Sequence, residues 1–370
     1  MRLRRAHLER FKRFDSPGID IDFQNLATEE IADRFLILGD NASGKTTILQ
    51  AIALTLSLAQ RRTQSVRDFR WTGWVADRFL AQGEPVVELQ VEFDDDELLA
   101  TQDAASRWWD ATHPTGRKGF VAPGNSNKVT LRLEGQRIRT LGDENEIYQF
   151  QGRSYAAAGA KFDGTLRDLF PRIPGVFWYD QFRNSAVATA NDPKDSGDRA
   201  SFSSTNDDYQ FLRGIQTLDN ILKSWHRTRE ERGPHPRGDY LGQLEALYGQ
   251  AFPGHTFSGL EYIYDGPTPS ADRFTLSDGM HRYALPEMSS GEQSVFPILY
   301  EFVRQQIHHC IVLIDEIDLN LHPPLAQRLL GMLPILGRNN QFIFTTHSRA
   351  VSSLVSPHTV HRLPEGHPCL

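Results

Sequence analysis

A glycine-rich segment near the start of the chain has the residue types and spacing of a phosphate-binding loop. Gly39-Asp40-Asn41-Ala42-Ser43-Gly44-Lys45-Thr46 satisfies the pattern G-x-x-x-x-G-K-[ST]. The glycines let backbone N–H groups curl around phosphates, and a following helix adds partial positive charge at its N-terminus. Lys45 would reach the β- and γ-phosphates, and the Thr46 hydroxyl would ligate Mg²⁺. We predict a nucleotide site formed by Gly39, Asn41, Ala42, Ser43, Gly44, Lys45, Thr46 and Thr47.

Two adjacent carboxylates end an apolar run later in the chain. Asp315 and Glu316 directly follow Cys310-Ile311-Val312-Leu313-Ile314. Ligands of open α/β sheets bind at the carboxyl ends of the strands, where these acids would lie. Asp315 is suited to hold Mg²⁺ through water, and Glu316 to orient and deprotonate the water that attacks a γ-phosphate. A simple solvated turn is the alternative, but the phosphate loop favours the catalytic interpretation.

A histidine ends the next apolar run. His347 follows Gln341-Phe342-Ile343-Phe344-Thr345-Thr346, which is typical of a buried strand. Its position one strand after the acidic pair predicts a catalytic contact between His347 and the γ-phosphate. The alternative is a structural histidine whose ring is satisfied by its neighbours.

A serine-glycine turn precedes a further apolar helix pattern, in the segment Met288-Ser289-Ser290-Gly291-Glu292-Gln293. Ser and Gly are favoured at helix N-termini, so the segment can be a simple helix cap. A helix that begins there also directs its N–H groups and its dipole toward an anion. Both interpretations can hold together.

Along the chain the four motifs occur in the order phosphate loop, serine-glycine turn, acidic pair and histidine. In that order they resemble the ABC-type ATPase heads of the SMC, RecF and OLD groups, including stand-alone AAA family defence ATPases of the OLD or PtuA-like kind. The resemblance implies a homodimer with two ATP molecules between two heads. Ser290 and Gly291, flanked by Ser289 and Glu292, would cap the γ-phosphate held by Lys45 of the other subunit.

Further residues take roles from the same resemblance. Asp318 begins the segment that corresponds to the D-loop. The segment 288–293 corresponds to the signature of these ATPases. Pro297 departs from the pattern, because it falls in the helix expected after the signature and should kink that helix or shorten its start.

Three more residues are candidates for nucleotide contacts. Related heads often bring a basic residue of the first hairpin beside the adenine, which makes Lys12 or Arg13 a candidate; solvated basic side chains on an edge strand are the alternative. Gln181 follows an apolar strand and is the candidate Q-loop glutamine that would join Mg²⁺. A glutamine after a strand is also common without such a role.

The surrounding elements must bring these residues to one sheet edge. Residues 35–38 form an apolar run typical of a buried parallel strand, and residues 46–58 are long enough for a helix, so strand, loop and helix follow in the required order. The fold class predicted is α/β: a P-loop NTPase of the ABC-ATPase head type, with a mixed β-sheet core flanked by helices and an inserted β/helical lobe. Further strands are expected at 3–14, 19–23, 87–93, 129–133, 176–179 and 358–363.

The predicted organisation is a single head spanning residues 1–370. Its core lobe comprises 1–60 and 286–370 with strands from 86–183, and 184–285 is a helical lid or insert lobe. Residues 184–207, rich in Ser, Asp, Asn and Ala, predict a mobile loop within that lobe.

Heptad spacing between Phe211 and Trp225 ends at Arg232-Gly233-Pro234. It predicts one amphipathic helix and not the long coiled-coil arm of SMC proteins.

Composition limits the classes of binding partner and the cellular compartment that are expected. The formal net charge of −7 provides no overall attraction to nucleic acid or to an anionic membrane. Two cysteines imply no disulfide framework and predict a reducing, cytoplasmic location. No signal-peptide pattern or bilayer-length apolar run is present, so no membrane association is expected. DNA contact would be local, through the basic residues Arg2, Arg4, Arg5, Arg10, Lys12 and Arg13 or Arg227, Arg229, Arg232 and Arg237.

The leading functional hypothesis is an ATP-hydrolysing molecular switch in DNA repair or anti-phage defence. Only residues 348–370 follow His347, so no nuclease domain is expected and a separately encoded nuclease or other effector would be the partner. An ABC transporter ATPase subunit is an alternative, disfavoured by the long span before the signature. An ATP-binding scaffold with negligible turnover is another.

Overall fold

The computed structural model describes residues 1–80, 83–113, 116, 118–181, 215–233, 238–264, 267 and 269–364. It divides into two compact units. The first comprises Met1–Gln181, Ile307–Asp318 and Leu333–Leu370, and the second comprises Phe182–Gln306 and Leu319–Met332. The expected loop at 184–207 lies outside the described residues.

A five-stranded parallel sheet organises the first unit. Its strand order is β13-β3-β12-β11-β7. The sequence predicted β3, β7, β11 and β12 as apolar runs, which is the pattern of strands buried on both faces, and it placed the less apolar β13 within residues 358–363. Their bounds are Arg34–Leu38 for β3, Val176–Tyr179 for β7, Ile311–Ile314 for β11, Gln341–Thr346 for β12 and Val360–Arg362 for β13.

The second sheet of this unit is antiparallel, with strand order β2-β1-β4-β5-β6. Buried and more exposed positions alternate along β5, as expected for a sheet with one solvated face. The bounds are Arg2–Glu9 for β1, Ile19–Asp22 for β2, Val86–Glu92 for β4, Lys128–Glu134 for β5 and Arg137–Thr140 for β6.

Helix α1 (Lys45–Ala59) contacts strands of both sheets. Nearly all of its residues are buried, which explains its uniformly apolar sequence. The other helices of the unit are α2 (Asp95–Thr112), α3 (Gly152–Gly159) and α8 (Arg349–Ser352). Asp94 caps α2 and forms a capping box with Glu97.

The second unit contains helices and a three-stranded antiparallel sheet of order β10-β9-β8. The strands are β8 (Thr256–Tyr264), β9 (Pro269–Ser277) and β10 (Arg282–Ala284). The helices are α4 (Ile215–Arg232), α5 (Tyr240–Ala251), α6 (Ser290–Arg304) and α7 (Pro323–Met332).

This division differs from the lobes drawn from sequence. The signature helix α6 and helix α7 belong to the second unit, although 286–370 was assigned to the core lobe. The reason is packing: α5 contacts both α6 and α7, which sequence proximity to the acidic pair does not reveal. Pro297 lies inside α6, which runs without interruption from Ser290, so the expected shortening of this helix does not occur.

Among the described residues, no helix has both the length and the apolar composition needed to cross a bilayer.

One buried side chain connects the two sheets of the first unit. The amide of Gln341, at the start of β12, accepts a hydrogen bond from the Leu3 N–H at 2.7 Å and donates one to the Leu3 carbonyl at 2.9 Å. The register of β1 against β4 shifts between Leu3 and Arg5, so these groups of Leu3 turn toward Gln341 instead. Both residues have no exposed surface.

We expect Gln341→Leu to lower the free energy of unfolding by about 2–4 kcal/mol, because each buried backbone group left unpaired costs roughly 1–3 kcal/mol. Urea denaturation measures this change. Thr55→Val is the matched control, since the buried Thr55 hydroxyl has no hydrogen-bond partner among the described residues. Equal unfolding midpoints for the two variants would contradict this account of sheet connection.

Candidate nucleotide-binding site

The parallel sheet gathers the predicted catalytic residues at one edge. Loops leave the carboxyl ends of β3, β11, β12 and β7, and these ends lie side by side because the strands are parallel. The first three loops contain the phosphate loop, the acidic pair and His347. Neighbouring strands are about 4.8 Å apart, so these groups lie within reach of one small ligand.

The phosphate loop, residues 39–46, has the tight backbone that its sequence predicts. Gly44 precedes α1 with φ +107°, which L side chains rarely adopt. A Cβ at Gly39 would lie 2.5 Å from the Ser43 hydroxyl oxygen. That hydroxyl is buried and has no hydrogen-bond partner among the described residues. The loop therefore offers a close backbone approach and an unsatisfied polar group, which fits a phosphate ligand.

Lys45 is folded back onto this loop. Its ammonium group donates to the carbonyls of Gly39 and Asp40, both at 2.8 Å, and the residue is 5% exposed. Burial lowers the pKa of Lys45, while the charges of Glu316, Asp315 and other nearby carboxylates oppose that shift. The acids thus favour the charged form of the lysine, which is the form that binds phosphate.

Asp315 is the centre of a series of hydrogen bonds that joins the end of the phosphate loop, the acidic pair and strand β12. It has no exposed surface; one carboxylate oxygen accepts from the Thr46 hydroxyl and the other from the Thr345 hydroxyl, each at 2.7 Å. The Thr345 oxygen also accepts from the Glu316 N–H at 2.7 Å. A hydroxyl and a carboxylate supply only oxygen donors, which is the ligand type that Mg²⁺ prefers, so Thr46 and Asp315 fit this ion.

Glu316 adopts an unusual backbone conformation beside the hydrogen bonds of Asp315. Its φ of +46° lies in the left-handed region, which costs a non-glycine residue of order 1–3 kcal/mol. The hydrogen bond from its N–H to Thr345 offsets part of that cost. Its side chain is half-buried and close enough to Lys45 for its charge to oppose the lowering of the ammonium's pKa by burial.

Asp318 and His347 extend the same edge. The Thr346 hydroxyl donates to the Asp318 carboxylate at 2.6 Å, so β12 holds both the acidic pair and the start of the D-loop segment. His347 follows Thr346 and is exposed. An exposed ring at this edge is available to a ligand, and its role at the γ-phosphate stays a prediction.

Gln181 lies at the end of β7, which pairs with β11. Two strands, β12 and β11, separate β7 from β3. The residue before it, Asp180, accepts hydrogen bonds from the N–H and hydroxyl groups of Thr72 at 3.2 and 2.7 Å. Gln181 is half-buried, and its Mg²⁺ role remains a prediction.

The two basic candidates point to different places. The Lys12 ammonium donates to Gln50 of α1 and lies 4.6 Å from the centre of the Trp74 ring. Burial lowers the pKa of Lys12 to about 8. Arg13 instead lies against the phosphate loop: its Cδ is 2.8 Å from the position that a Cβ at Gly44 would take. Arg13 is thus the better placed of the two for a nucleotide.

Lys12 and Arg13 do not lie on an edge strand, although Arg13 is exposed to solvent as that alternative expected. β1 ends at Glu9, and Phe11 and Phe14 exchange backbone hydrogen bonds of 3.0 and 3.1 Å across a tight turn that contains Lys12 and Arg13. Phe14 also approaches Gly44, with its ring 2.7 Å from the same Cβ position. Sequence reasoning missed Phe14, whose only signal is its place next to Arg13.

The signature turn, Ser289-Ser290-Gly291-Glu292, begins α6 in the second unit. Ser289 is the N-cap, and its hydroxyl forms a capping box with Glu292. The helix-cap interpretation is therefore correct. Ser289 and Ser290 are nevertheless exposed, and Gly291 is half-buried.

Glu292 does not belong with these accessible residues. It is 5% exposed and accepts hydrogen bonds from Tyr248, Tyr283 and Ser289. Burial would raise the pKa of Glu292, but these hydrogen bonds outweigh it and lower the pKa. The grouping of Glu292 with the nucleotide-contacting residues is corrected to a buried structural role, because its carboxylate faces inward.

Thr345 is the second residue that sequence reasoning missed. It reads as part of an apolar strand, yet its hydroxyl orients both acids of the pair. We expect Thr345→Val to reduce ATP turnover by about 10–100-fold, as substitutions behind a metal ligand commonly do.

Thr345→Ser retains the hydroxyl and should stay close to the wild-type rate. Steady-state phosphate release measures both variants. A fully active Thr345→Val protein would show that this hydroxyl does not position the acidic pair.

Comparison with known proteins agrees with this geometry. Residues 88–353, more than half of the chain, match the family described as "AAA domain, putative AbiEii toxin, Type IV TA system". The "Retron Vc95 probable ATPase" of Vibrio cholerae serotype O1 biovar El Tor is 22% identical over 406 residues, covering 99% of this chain and 74% of that protein. The "Retron Ec83 probable ATPase" of Escherichia coli is 32% identical over 91 residues, which are 22% of this chain and 17% of that protein.

A solved structure supports the fold. The crystal structure of an Smc head bound to the C-winged helix domain of ScpA aligns with a TM-score of 0.52 and 14% identity, covering 96% of this chain and 92% of that one. The α/β head fold predicted from the motifs is therefore confirmed. The chain belongs to the AAA domain family named above and is an ATPase built on an SMC-head-like fold.

Proposed function

We propose that the protein is an ATP-driven switch in which two subunits pair head to tail around two Mg-ATP. The observation that carries the hydrolytic part is the chain of hydrogen bonds from Thr46 through Asp315 and Thr345 to the Glu316 N–H. It fixes a phosphate-loop hydroxyl, a metal-binding carboxylate and a candidate base relative to one another. Such fixed geometry is what phosphoryl transfer requires of a protein.

Each residue at the sheet edge has a role in this proposal. The N–H groups of residues 41–47 surround the phosphates, and Lys45 exchanges its two loop carbonyls for β- and γ-phosphate oxygens. Mg²⁺, when bound, neutralises phosphate charge. Glu316 orients and deprotonates the attacking water.

Four further side chains have roles in the proposal. His347, exposed at the end of β12, contacts the γ-phosphate. Gln181 joins Mg²⁺, and Asp318 begins the D-loop segment. Arg13 contacts the nucleotide beside Gly44.

The head-to-tail dimer rests on the free end of α6. The first N–H groups of a helix lack intrahelical partners. Ser289 satisfies that of Glu292 through its hydroxyl, at 3.3 Å. Within the described part of the chain, the N–H groups of Ser290 and Gly291 have no acceptor. They are therefore available to a group from another molecule. A γ-phosphate held by Lys45 of a partner subunit fits this need.

For the cellular role, we propose defence through a separately encoded effector, in the cytoplasm. Support comes from the relatives, which are named as retron ATPases, and from the family description, which names a toxin. DNA repair is the other setting that the resemblance allows.

Direct DNA binding gains little support from the basic patches. Arg4 and Arg5 pair with Glu92 and Asp20 at 2.8 and 2.9 Å, which neutralises much of the N-terminal patch. In the second patch, Arg229 pairs with Asp239 at 3.2 Å. The switch is therefore proposed to act mainly through a protein partner.

We expect Glu316→Gln to bind ATP, to hydrolyse it very slowly and to accumulate as an ATP-bound dimer, because the base is lost while the binding residues remain. Multi-angle light scattering with and without ATP measures the dimer. A variant that stays monomeric with ATP would contradict the dimer model. Wild-type protein that binds ATP but releases negligible phosphate would support the scaffold alternative instead.

A mixing experiment tests whether the signature acts across subunits. Lys45→Ala and Ser290→Arg proteins should each be inactive alone, since every site in either homodimer lacks one component. An equal mixture should regain activity, because a heterodimer contains one site with Lys45 from one chain and Ser290 from the other. An inactive mixture of subunits that still pair would show that both residues serve the same subunit's site.

A further inference from the structure

A buried hydrogen-bond network lies directly behind the signature turn. The Glu292 network consists of Tyr248, Tyr283, Ser289 and Glu292. One Glu292 oxygen accepts from the Ser289 N–H at 2.8 Å and the Ser289 hydroxyl at 2.7 Å. The other accepts from both tyrosine hydroxyls, which are themselves 3.0 Å apart.

The network connects three elements of the second unit. Tyr248 belongs to α5, Tyr283 to β10 and Glu292 to the first turn of α6. Tyr248 has no exposed surface, and its ring packs 5.4 Å from that of Phe296 and 5.2 Å from that of Phe252. Because the tyrosine ring is fixed by packing, its hydroxyl defines where the Glu292 carboxylate, and with it the turn, must lie.

The turn is also confined on its outer side. A Cβ at Gly291 would lie 2.8 Å from a methyl group of Leu325 in α7. The backbone of the signature turn is therefore held between α7 and the two tyrosines. Two separate sets of contacts therefore restrain the position of this short segment.

Charge explains why hydroxyl groups are needed here. Glu292 is an anion at the third position of a helix whose free N–H groups are proposed to face a phosphate. A carboxylate in the first turn stabilises the helix, but it repels an anionic ligand if it turns outward. Four hydrogen bonds hold the charge inward and satisfy it where water is excluded.

We propose that Tyr248 and Tyr283 are positioning residues for the signature turn: through Glu292 they hold the N–H groups of Ser290 and Gly291 in the orientation that receives a partner's γ-phosphate. This inference rests on the proposed head-to-tail dimer. It predicts that the tyrosine hydroxyls serve turnover and dimer closure, and that they are not needed to bind ATP at the phosphate loop.

Tyr248→Phe and Tyr283→Phe test this, with Tyr300→Phe as the matched control. Tyr300 lies on the same helix α6, and its buried hydroxyl has no hydrogen-bond partner among the described residues. All three changes remove one hydroxyl and keep the ring. Tyr283 is only half-buried, so its variant serves if the Tyr248 change impairs folding.

For each variant, kcat, the affinity for a fluorescent non-hydrolysable ATP analogue and ATP-dependent dimerisation are measured. We expect kcat to fall about tenfold or more for the Tyr248 and Tyr283 variants, as misplacement of a reacting group does. Their dimers should weaken while analogue affinity stays within about twofold, and Tyr300→Phe should match the wild type in all three measurements.

Wild-type kcat and dimerisation in both test variants would overturn the inference, and so would parallel losses of analogue affinity and kcat, which indicate general unfolding. Different results would contradict the proposed function itself. If wild-type subunits do not pair with ATP, or the Lys45 and Ser290 variants do not complement, the dimer model is wrong whatever the tyrosine variants do.

Discussion

The structure of the ATPase site depends on one buried carboxylate. Asp315 is fully buried, and the hydroxyl groups of Thr46 and Thr345 satisfy its two oxygens. Burial of an unpaired charge would be costly, so the end of the phosphate loop, the segment after β11 and strand β12 must meet at this point for the acid to be tolerated. The same arrangement leaves Lys45 close to a cluster of carboxylates that favour its charged form. The phosphate loop, the acidic pair and the sheet edge are therefore consequences of one electrostatic constraint.

The signature turn follows the same physical rule in the second unit. Glu292 is buried, and hydroxyl groups of Tyr248, Tyr283 and Ser289 satisfy it. In both places a carboxylate that could repel a phosphate is held by neutral donors from several elements. The first carboxylate lies at the sheet edge beside the phosphate loop, whereas the second is directed away from the helix end that is proposed to receive the phosphate. This difference in surroundings distinguishes the two buried acids, although both look alike in the sequence.

Local pattern predicted most of what lies within a short stretch of chain. The strands before Gly39, Asp315 and His347 and the helix after Gly44 follow from apolar runs and from the glycine-rich turn, and the structure contains them. What the sequence did not reveal involves partners far apart in the chain. Thr345 is 30 residues from Asp315, and Tyr248 is 44 residues from Glu292. The boundary at 286 was misplaced for the same reason, since the packing of α6 and α7 with α5 decides it.

The central claim is that each ATP is held by the phosphate loop of one subunit and the signature turn of the other. The most direct measurement uses ATP with a photo-crosslinker on its γ-phosphate, in dimers of isotopically heavy Lys45→Ala subunits and light wild-type subunits. Mass spectrometry then identifies the labelled chain. The account predicts crosslinks on the heavy peptide that contains Ser290 and Gly291, although that subunit cannot hold ATP in its own phosphate loop. Crosslinks confined to light peptides would contradict it.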